Sequence, residues 1–363
     1  MHLRWHGVWQ RPNHLLARIA RDVPVIVLEE PLAAGRDDDA IERSDGVTIV
    51  TPRRVAPAAD ALDDRSVSAL RALVGDRRAL VWLYTPMMLA LADAFPGAPL
   101  VFDKMDELAK FAHADPRIAP RERDLLQRAG VVFTGGRSLF RSVADRTDNA
   151  RCYPSGVDGA HFARALSMPP HADLTPFRGG PVFGYAGVID ERIDLELVDA
   201  LAAANPGATV AMIGPVVKID EALLPRRANI AYLGKRAYDE LPALLAGVDV
   251  ALMPFALNEH TENISPTKTL EYFAAGRPVV STAVPDVVAD HGDVVYVARD
   301  RAEFVAMVER ARNGDGARAA RAAERARAAS WDAIAAAMRA DLAAAGIVYA
   351  AANPIRKNSA ARA

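Results

Sequence analysis

The sequence predicts an α/β protein built from two doubly wound, parallel-sheet domains, and three observations carry that prediction. Short apolar, β-branched runs alternate with Ala-, Leu- and Arg-rich helical stretches along most of the 363 residues, the pattern of strands covered by helices on both faces. The length exceeds what one hydrophobic core usually serves. The alternation breaks once, between Arg151 and Gly180, where "CYPSGVDGAHFARALSMPPHADLTPFRGG" is rich in Pro, Gly and His and has no periodic pattern.

Taken in order, "RPNHLLARIARD" reads as a helix with Pro12 in its first turn, and "VPVIVLEE" as the strand that follows. A parallel sheet ordinarily places a strand before that helix, whereas residues 1–10 are polar and Trp-rich. The expectation is therefore that about ten residues of apolar sequence, a strand and its approach, precede the present start. "RALVWLYT", "PLVFDKMD" and "AGVVFTGG" supply further strands of the first domain; "PVFGYAG", "ATVAMIGP", "VDVALMPF", "RPVVST" and "DVVYVA" supply those of the second. Residues 312–329 are low in complexity but suit a helix, and the tail from Asn353 reads as disordered. The expected organisation is a first domain over residues 1–160, a linker over 161–180, a second domain over 181–330, a helix over 331–352 that packs back on the first domain, and a tail over 353–363.

Composition narrows the function. About half of the residues are apolar, a quarter are charged and the formal net charge is −2, which supplies no global basic field for nucleic acid. The single cysteine, Cys152, rules out a disulfide framework or a cysteine metal cluster. Apolar runs stay below membrane-spanning length. A cytoplasmic protein is expected, with peripheral association at the inner face of the membrane left open.

The most informative stretch is "NISPTKTLEYFAAGRPVVST", Asn263 to Thr282. Ser265 is expected to cap a short helix, Pro266 to occupy its first position, and Gly276 with Pro278 to stop it. The free amides around Thr267 and Lys268 make an anion site, Lys268 adds a full positive charge, and Glu271 falls on the same face one turn on. A phosphate fits the first two, and paired ribose hydroxyls fit a carboxylate. The plain alternative is an i,i+3 surface pair worth about 0.2–0.5 kcal/mol. The preceding strand "VDVALMPF" aims the loop "ALNEHTENIS" at the carboxyl edge of the sheet, where open α/β folds bind ligands.

This stretch resembles the nucleotide-sugar motif of group-1, glycogen-synthase-like GT-B glycosyltransferases. Their E-x(7)-E pattern ends in an "AxGxPVV"-like segment; Glu271 matches the second glutamate, Asn263 stands at the first, and "ISP" replaces Gly-Phe-Gly. "PSGVDGAHF" is similar to the N-x-G-V-D-x-x-x-F signature leading into the second domain, "VFGYAGVIDERIDLELV" to its first strand and loop, and "RANIAYLGKRAYDELPALLAGVDVALMPF" to the stretch carrying the base-contacting loop. "HLRWHGVWQRPNHL" and "FDKMDELAKF" resemble a bacterial subgroup found with surface-polysaccharide genes, with Asn13 at a usual Gln position. The resemblance implies two Rossmann-like domains facing across a cleft, a nucleotide-diphosphate sugar as donor, and a glycan or lipid-linked acceptor. It also implies that Gly187 lets the backbone approach the phosphates.

Individual residues carry competing readings. Arg192 suits bidentate diphosphate binding or is a solvated loop residue among Asp190, Glu191 and Asp194; Lys218 is a weaker candidate, read as a surface lysine. Of Asp103 and Asp106, just past an apolar strand, one is expected to act as base on the acceptor hydroxyl and the other to cap the next helix. His14, with Arg11 and Trp5 beside it, is expected on the acceptor side as a proton-transfer group, while Trp5 and Trp9 either wall the sugar or pack in the core. Neither H-E-x-x-H nor a D-x-D at a strand end occurs, so no metal and no cofactor are expected, and Lys268, Arg192 and the helix terminus meet the leaving-group charge. A nucleotide-sugar epimerase of the same fold and a non-catalytic glycan-assembly partner remain as other functions. A flavin enzyme is disfavoured because no strand runs into G-x-G-x-x-G.

Overall fold

The computed structural model describes residues 3–30, 39–52, 63–111, 114–177 and 179–348. The chain divides into two compact units: the described residues of 1–103, 116–133 and 335–363 form one, and those of 104–115 and 134–334 form the other. The expected tail over 353–363 lies outside the described residues.

Most apolar runs become strands. In the first half these are β1 (Ile26–Leu28), β2 (Ala40–Ser44), β3 (Val47–Thr51), β4 (Val81–Leu83), β5 (Leu100–Lys104), β6 (Val131–Thr134) and β7 (Ala150–Cys152). The helix Arg11–Ile19 begins with Pro12 in its first turn, as the sequence predicts. A single parallel sheet was expected, and the structure differs. A three-stranded sheet runs β1-β3-β2, and a separate four-stranded sheet runs β4-β5-β6-β7. β1 pairs with β3 in parallel, but β2 and β3 form an antiparallel hairpin in register Ser44↔Val47. The cause is the two-residue turn, in which Asp45 and Gly46 both take positive φ, 50° and 82°, the type I′ geometry that Asp-Gly favours.

The second unit is the regular one. β8 (Val182–Ala186), β9 (Thr209–Ile213), β10 (Ile230–Gly234), β11 (Val250–Met253), β12 (Val279–Thr282) and β13 (Tyr296–Ala298) form one sheet in the order β10-β9-β8-β11-β12-β13. The recorded strand pairs are all parallel. Val210, Ala211, Met212, Leu252 and Val280 are buried to the last atom because helices cover both faces. The order reverses between β8 and β11, and the loops at the carboxyl ends of these two strands flank the crevice where such sheets bind ligands.

The segment expected as linker does not stand apart from this core. It forms the helix Gly159–Ala163 and several tight turns, and Phe162, Ala165 and Leu174 are buried within the second unit. Its Pro and Gly residues hid three core side chains from a periodicity reading. Farther on, the low-complexity stretch is the helix Gly316–Ala328, and the last described helix is Trp331–Ala344.

Candidate active site

Two loops and a short helix at the carboxyl edge of the second sheet build the site. The loop after β8 carries Gly187, Asp190 and Arg192. Asp190, 7% exposed, grips the guanidinium of Arg192 bidentately, with Nε 3.0 Å from Oδ1 and Nη2 2.7 Å from Oδ2. Burial opposes the Arg192 charge, but Asp190 more than restores it and raises the pKa. The loop after β11 is tied to this one by Ala256 N–H donating to Arg192 O (2.8 Å) and Asp194 N–H donating to Pro254 O (2.9 Å).

The helix that follows spans Lys268–Ala274, and here two expectations are corrected. Thr267 is the N-cap residue with no side-chain cap, so Ser265 does not cap the helix and Pro266 is not its first residue. The chain enters through a tighter turn in which Thr269 and Leu270 donate to Pro266 O and Thr267 O, three residues back, at 3.3 and 3.1 Å. The helix is pinned to β8 by Tyr272, whose hydroxyl accepts from Ala186 N–H at 2.8 Å.

That pin holds Lys268 and Glu271 toward the site. No ion pair or side-chain hydrogen bond joins the two among the described residues; the Lys268 ammonium lies 5.8 Å from the centre of the Tyr185 ring. Burial pushes the Glu271 carboxyl up to about 7, against the pull of Lys268. Burial likewise lowers the Lys268 pKa, opposed chiefly by Glu271. A half-buried lysine and glutamate, one turn apart and joined by no ion pair, form a site prepared for something else to lie between or beside them. Gly187 makes room for it: a Cβ there would lie 2.0 Å from Lys268 Cε.

Asp106 belongs to the same unit. Burial raises its carboxyl to about 6, while Arg192, Lys104 and Lys218 favour the charged form and Asp190 opposes it. It lines a small recess with Lys110, Phe111, His260 and Asn263. Lys104 is paired with Glu107 at 2.8 Å and Lys110 with Glu262 at 3.0 Å.

Four other expected site residues lie elsewhere. Asp103 is 0% exposed and Arg11 2%, with Arg11 Nε 3.0 Å from Asp103 Oδ1. Asp103 is thus neither a helix cap nor at a surface, and Arg11 is buried rather than presented to an acceptor. His14 is 3% exposed and its Nδ1 accepts from Trp9 Nε1–H at 3.2 Å, which selects the tautomer protonated at Nε2. Trp5, 1% exposed, packs edge-on against Trp9 and donates its indole N–H to Asp45 at 2.9 Å. These are first-unit core groups, because polar residues placed beside apolar neighbours here found partners inside the fold.

Sequence reasoning missed Asp190 as the partner of Arg192, Tyr272 as the pin and the part played by Phe111, whereas Lys218 is exposed, as the sequence reading has it. The Asp190-x-Arg192 spacing was a usable signal. Phe111 closes the "FDKMDELAKF" stretch, but its spacing gives no sign that its ring centre lies 5.9 Å from Arg192 Cζ and 5.1 Å from Lys218 Nζ.

A reversed-order parallel sheet with this loop-and-helix edge, alongside a second α/β unit, defines the class: the protein has the GT-B glycosyltransferase fold. Residues 180–313 match the family model described as Glycosyl transferases group 1, so this stretch is a group 1 glycosyltransferase domain. A Bacillus subtilis (strain 168) protein named for teichuronic acid biosynthesis, glycosyltransferase TuaH, is 27% identical over 212 residues, 54% of this chain and 53% of that one. The match thus spans about half the length of that relative. Among solved structures, Anabaena HepE in complex with UDP and glucose is 16% identical with TM-score 0.70, covering 94% of this chain and 98% of that one. Sucrose-phosphate synthase from Thermosynechococcus elongatus is 16% identical with TM-score 0.66, covering 90% of each chain. An E. coli trehalose-6-phosphate protein bound with UDP-2-fluoro glucose is 12% identical with TM-score 0.67, covering 93% and 97%. Among the described residues no helix is long and apolar enough to cross a membrane.

Proposed function

We propose that the chain is a glycosyltransferase that moves a sugar from a nucleotide-diphosphate donor to a glycan or lipid-linked acceptor in surface-polysaccharide biosynthesis. The observation that carries this is the convergence of Lys268, Glu271, Arg192 and Asp106 at the carboxyl edge of the second sheet, inside or beside the matched domain. The names of TuaH and of the UDP-bound neighbours support it.

In this reading Glu271 accepts the ribose hydroxyls, while Lys268 and Arg192 meet the diphosphate charge that develops as the sugar–phosphate bond breaks. The acceptor oxygen bonds to the anomeric carbon and its proton passes to Asp106. Ser265, Pro266 and Thr267 form the turn that walls the donor, with Asn263 at its rim. Asp103, His14, Arg11 and Trp5 hold the first unit together from within. No metal or cofactor enters the proposal, and a lipid-linked acceptor would bring the protein to a membrane surface without a spanning segment.

A thermal-shift screen against nucleoside diphosphates, then against their sugars, tests the donor half. Incubation with donor alone tests the reaction class, since an epimerase interconverts the sugar with no acceptor. A protein whose melting no nucleoside diphosphate raises does not fit this reading.

Two substitutions probe the donor groups. Glu271→Gln should weaken nucleoside diphosphate binding by about 1–3 kcal/mol, the scale of a charge-assisted hydrogen bond. It should also raise the melting temperature of the unliganded protein at pH 8. The folded-state pKa of about 7 lies above the ordinary 4.5, so the stability this group contributes is present in acid and lost as pH rises through 7. Calorimetry and melting at two pH values read both effects; unchanged binding would remove Glu271 from the site. Gly187→Ala should cost some stability, because the added methyl meets the Tyr185 hydroxyl at 2.9 Å as well as Lys268 Cε at 2.0 Å and its ammonium at 2.7 Å, at a φ of 159° that side chains rarely adopt. By displacing that ammonium it should weaken nucleoside diphosphate binding about tenfold, and wild-type affinity in this variant would refute the Lys268 role.

A further inference from the structure

Lys218 stands in a strained place. Among the described residues only Asp45 and Lys218 combine a side chain with positive φ, and Asp45 sits in the hairpin turn where that geometry is routine. Lys218 has φ 62°, a left-handed conformation that is unfavourable for an ordinary L-residue. The surrounding loop, after β9, is held to the loop that carries Arg192: Ile189 N–H donates to Pro215 O at 2.9 Å and Val217 N–H to Ile189 O at 3.0 Å. The strain is therefore imposed by a backbone that presents Lys218 at the same edge as Arg192.

The ammonium rests 5.1 Å from the centre of the Phe111 ring, and the Arg192 guanidinium rests 5.9 Å from the same centre. One aromatic ring thus serves two positive groups. Arg192 is matched by Asp190, whereas Lys218 has no carboxylate within ion-pairing distance among the described residues. A cation–π contact at an exposed lysine such as this one is a weak restraint, from which the ammonium is readily drawn off. The other ammonium of the site, Lys268, is likewise held over a ring, that of Tyr185. Two lysines parked on aromatic faces beside a carboxylate-paired arginine place three cations along one edge of the sheet.

We propose that Lys218 is a third cation of the donor diphosphate site: its ammonium leaves the Phe111 ring and, on its flexible stem, contacts the diphosphate together with Arg192 and Lys268. The inference rests on the donor reading given above. It assigns a diphosphate contact to the loop after β9.

The test is calorimetry with UDP, ADP and GDP, then with the monophosphate of whichever binds tightest, on the wild type, Lys218→Gly, Lys218→Met and Lys218→Arg. Lys218→Gly should melt at or above the wild-type temperature because glycine relieves the positive φ. Both Lys218→Gly and Lys218→Met should bind the diphosphate about 10-fold more weakly, with the monophosphate changed less than about 2-fold. Lys218→Arg should keep most of the affinity. Diphosphate binding at wild-type strength in either neutral variant, or equal losses for diphosphate and monophosphate, overturns the Lys218 assignment alone. A wild type that binds none of the three diphosphates overturns the donor reading and this inference with it.

Discussion

Asp106→Asn is expected to cut turnover by about 10²–10⁴ with little change in donor affinity, the range for losing a general base. The physical ground is the carboxyl held at about 6 by burial, among Arg192, Lys104 and Lys218. A carboxylate at that value is mostly ionised at pH 7 yet more basic than an exposed aspartate. Turnover should therefore fall as pH drops through 6, because protonated Asp106 cannot accept the acceptor's proton, and the acid limb should vanish in the asparagine variant. Steady-state rates from pH 5 to 8, with calorimetric donor affinity alongside, read both effects. Near-normal turnover in Asp106→Asn would mean that no carboxylate base acts here, as front-face retaining transfer permits.

Arg11→Met is expected to destabilise the protein by about 3–5 kcal/mol, the cost of leaving a buried charge without its partner. Asp103 is wholly buried and its pKa is raised by burial against the restraining charge of Arg11. Removing Arg11 raises it further. A raised folded-state pKa contributes stability that is present in acid and lost as pH climbs through it, so the deficit should be smaller at pH 4 than at pH 8. Adding Asp103→Leu should recover much of the loss, since an apolar pair of similar volume avoids the desolvation cost. Urea unfolding at both pH values measures this. A deficit below about 1 kcal/mol would show that water reaches the pair.

These two aspartates show how far a sequence reading reaches. Asp103 and Asp106 lie three residues apart, and the sequence offered the same two roles for both. What separates them is that β5 buries Asp103 against a helix from far earlier in the chain, while Asp106 emerges beyond the strand end beside Arg192. The hairpin of β2 and β3 was legible in Asp45-Gly46 and went unread. The helix start was misplaced by two residues because Ser-Pro promised a capped first turn, where the chain uses three-residue hydrogen bonds instead.

The sequence by itself determined the α/β class and five of the six strands of the second sheet, all but β10 at its edge, because unbroken apolar runs between helical stretches are satisfied by a covered parallel sheet. It also determined that Lys268 and Glu271 share one turn of one helix, since their spacing is local. Only the tertiary structure decided that these two are half-buried with no ion pair between them, that Arg192 is locked by Asp190, that His14 and Trp5 are spent inside the first unit, and that Lys218 meets Phe111. Local spacing fixes which residues share a face. Burial, and with it the pKa of a carboxyl and the availability of a cation, depends on which distant segments close over that face.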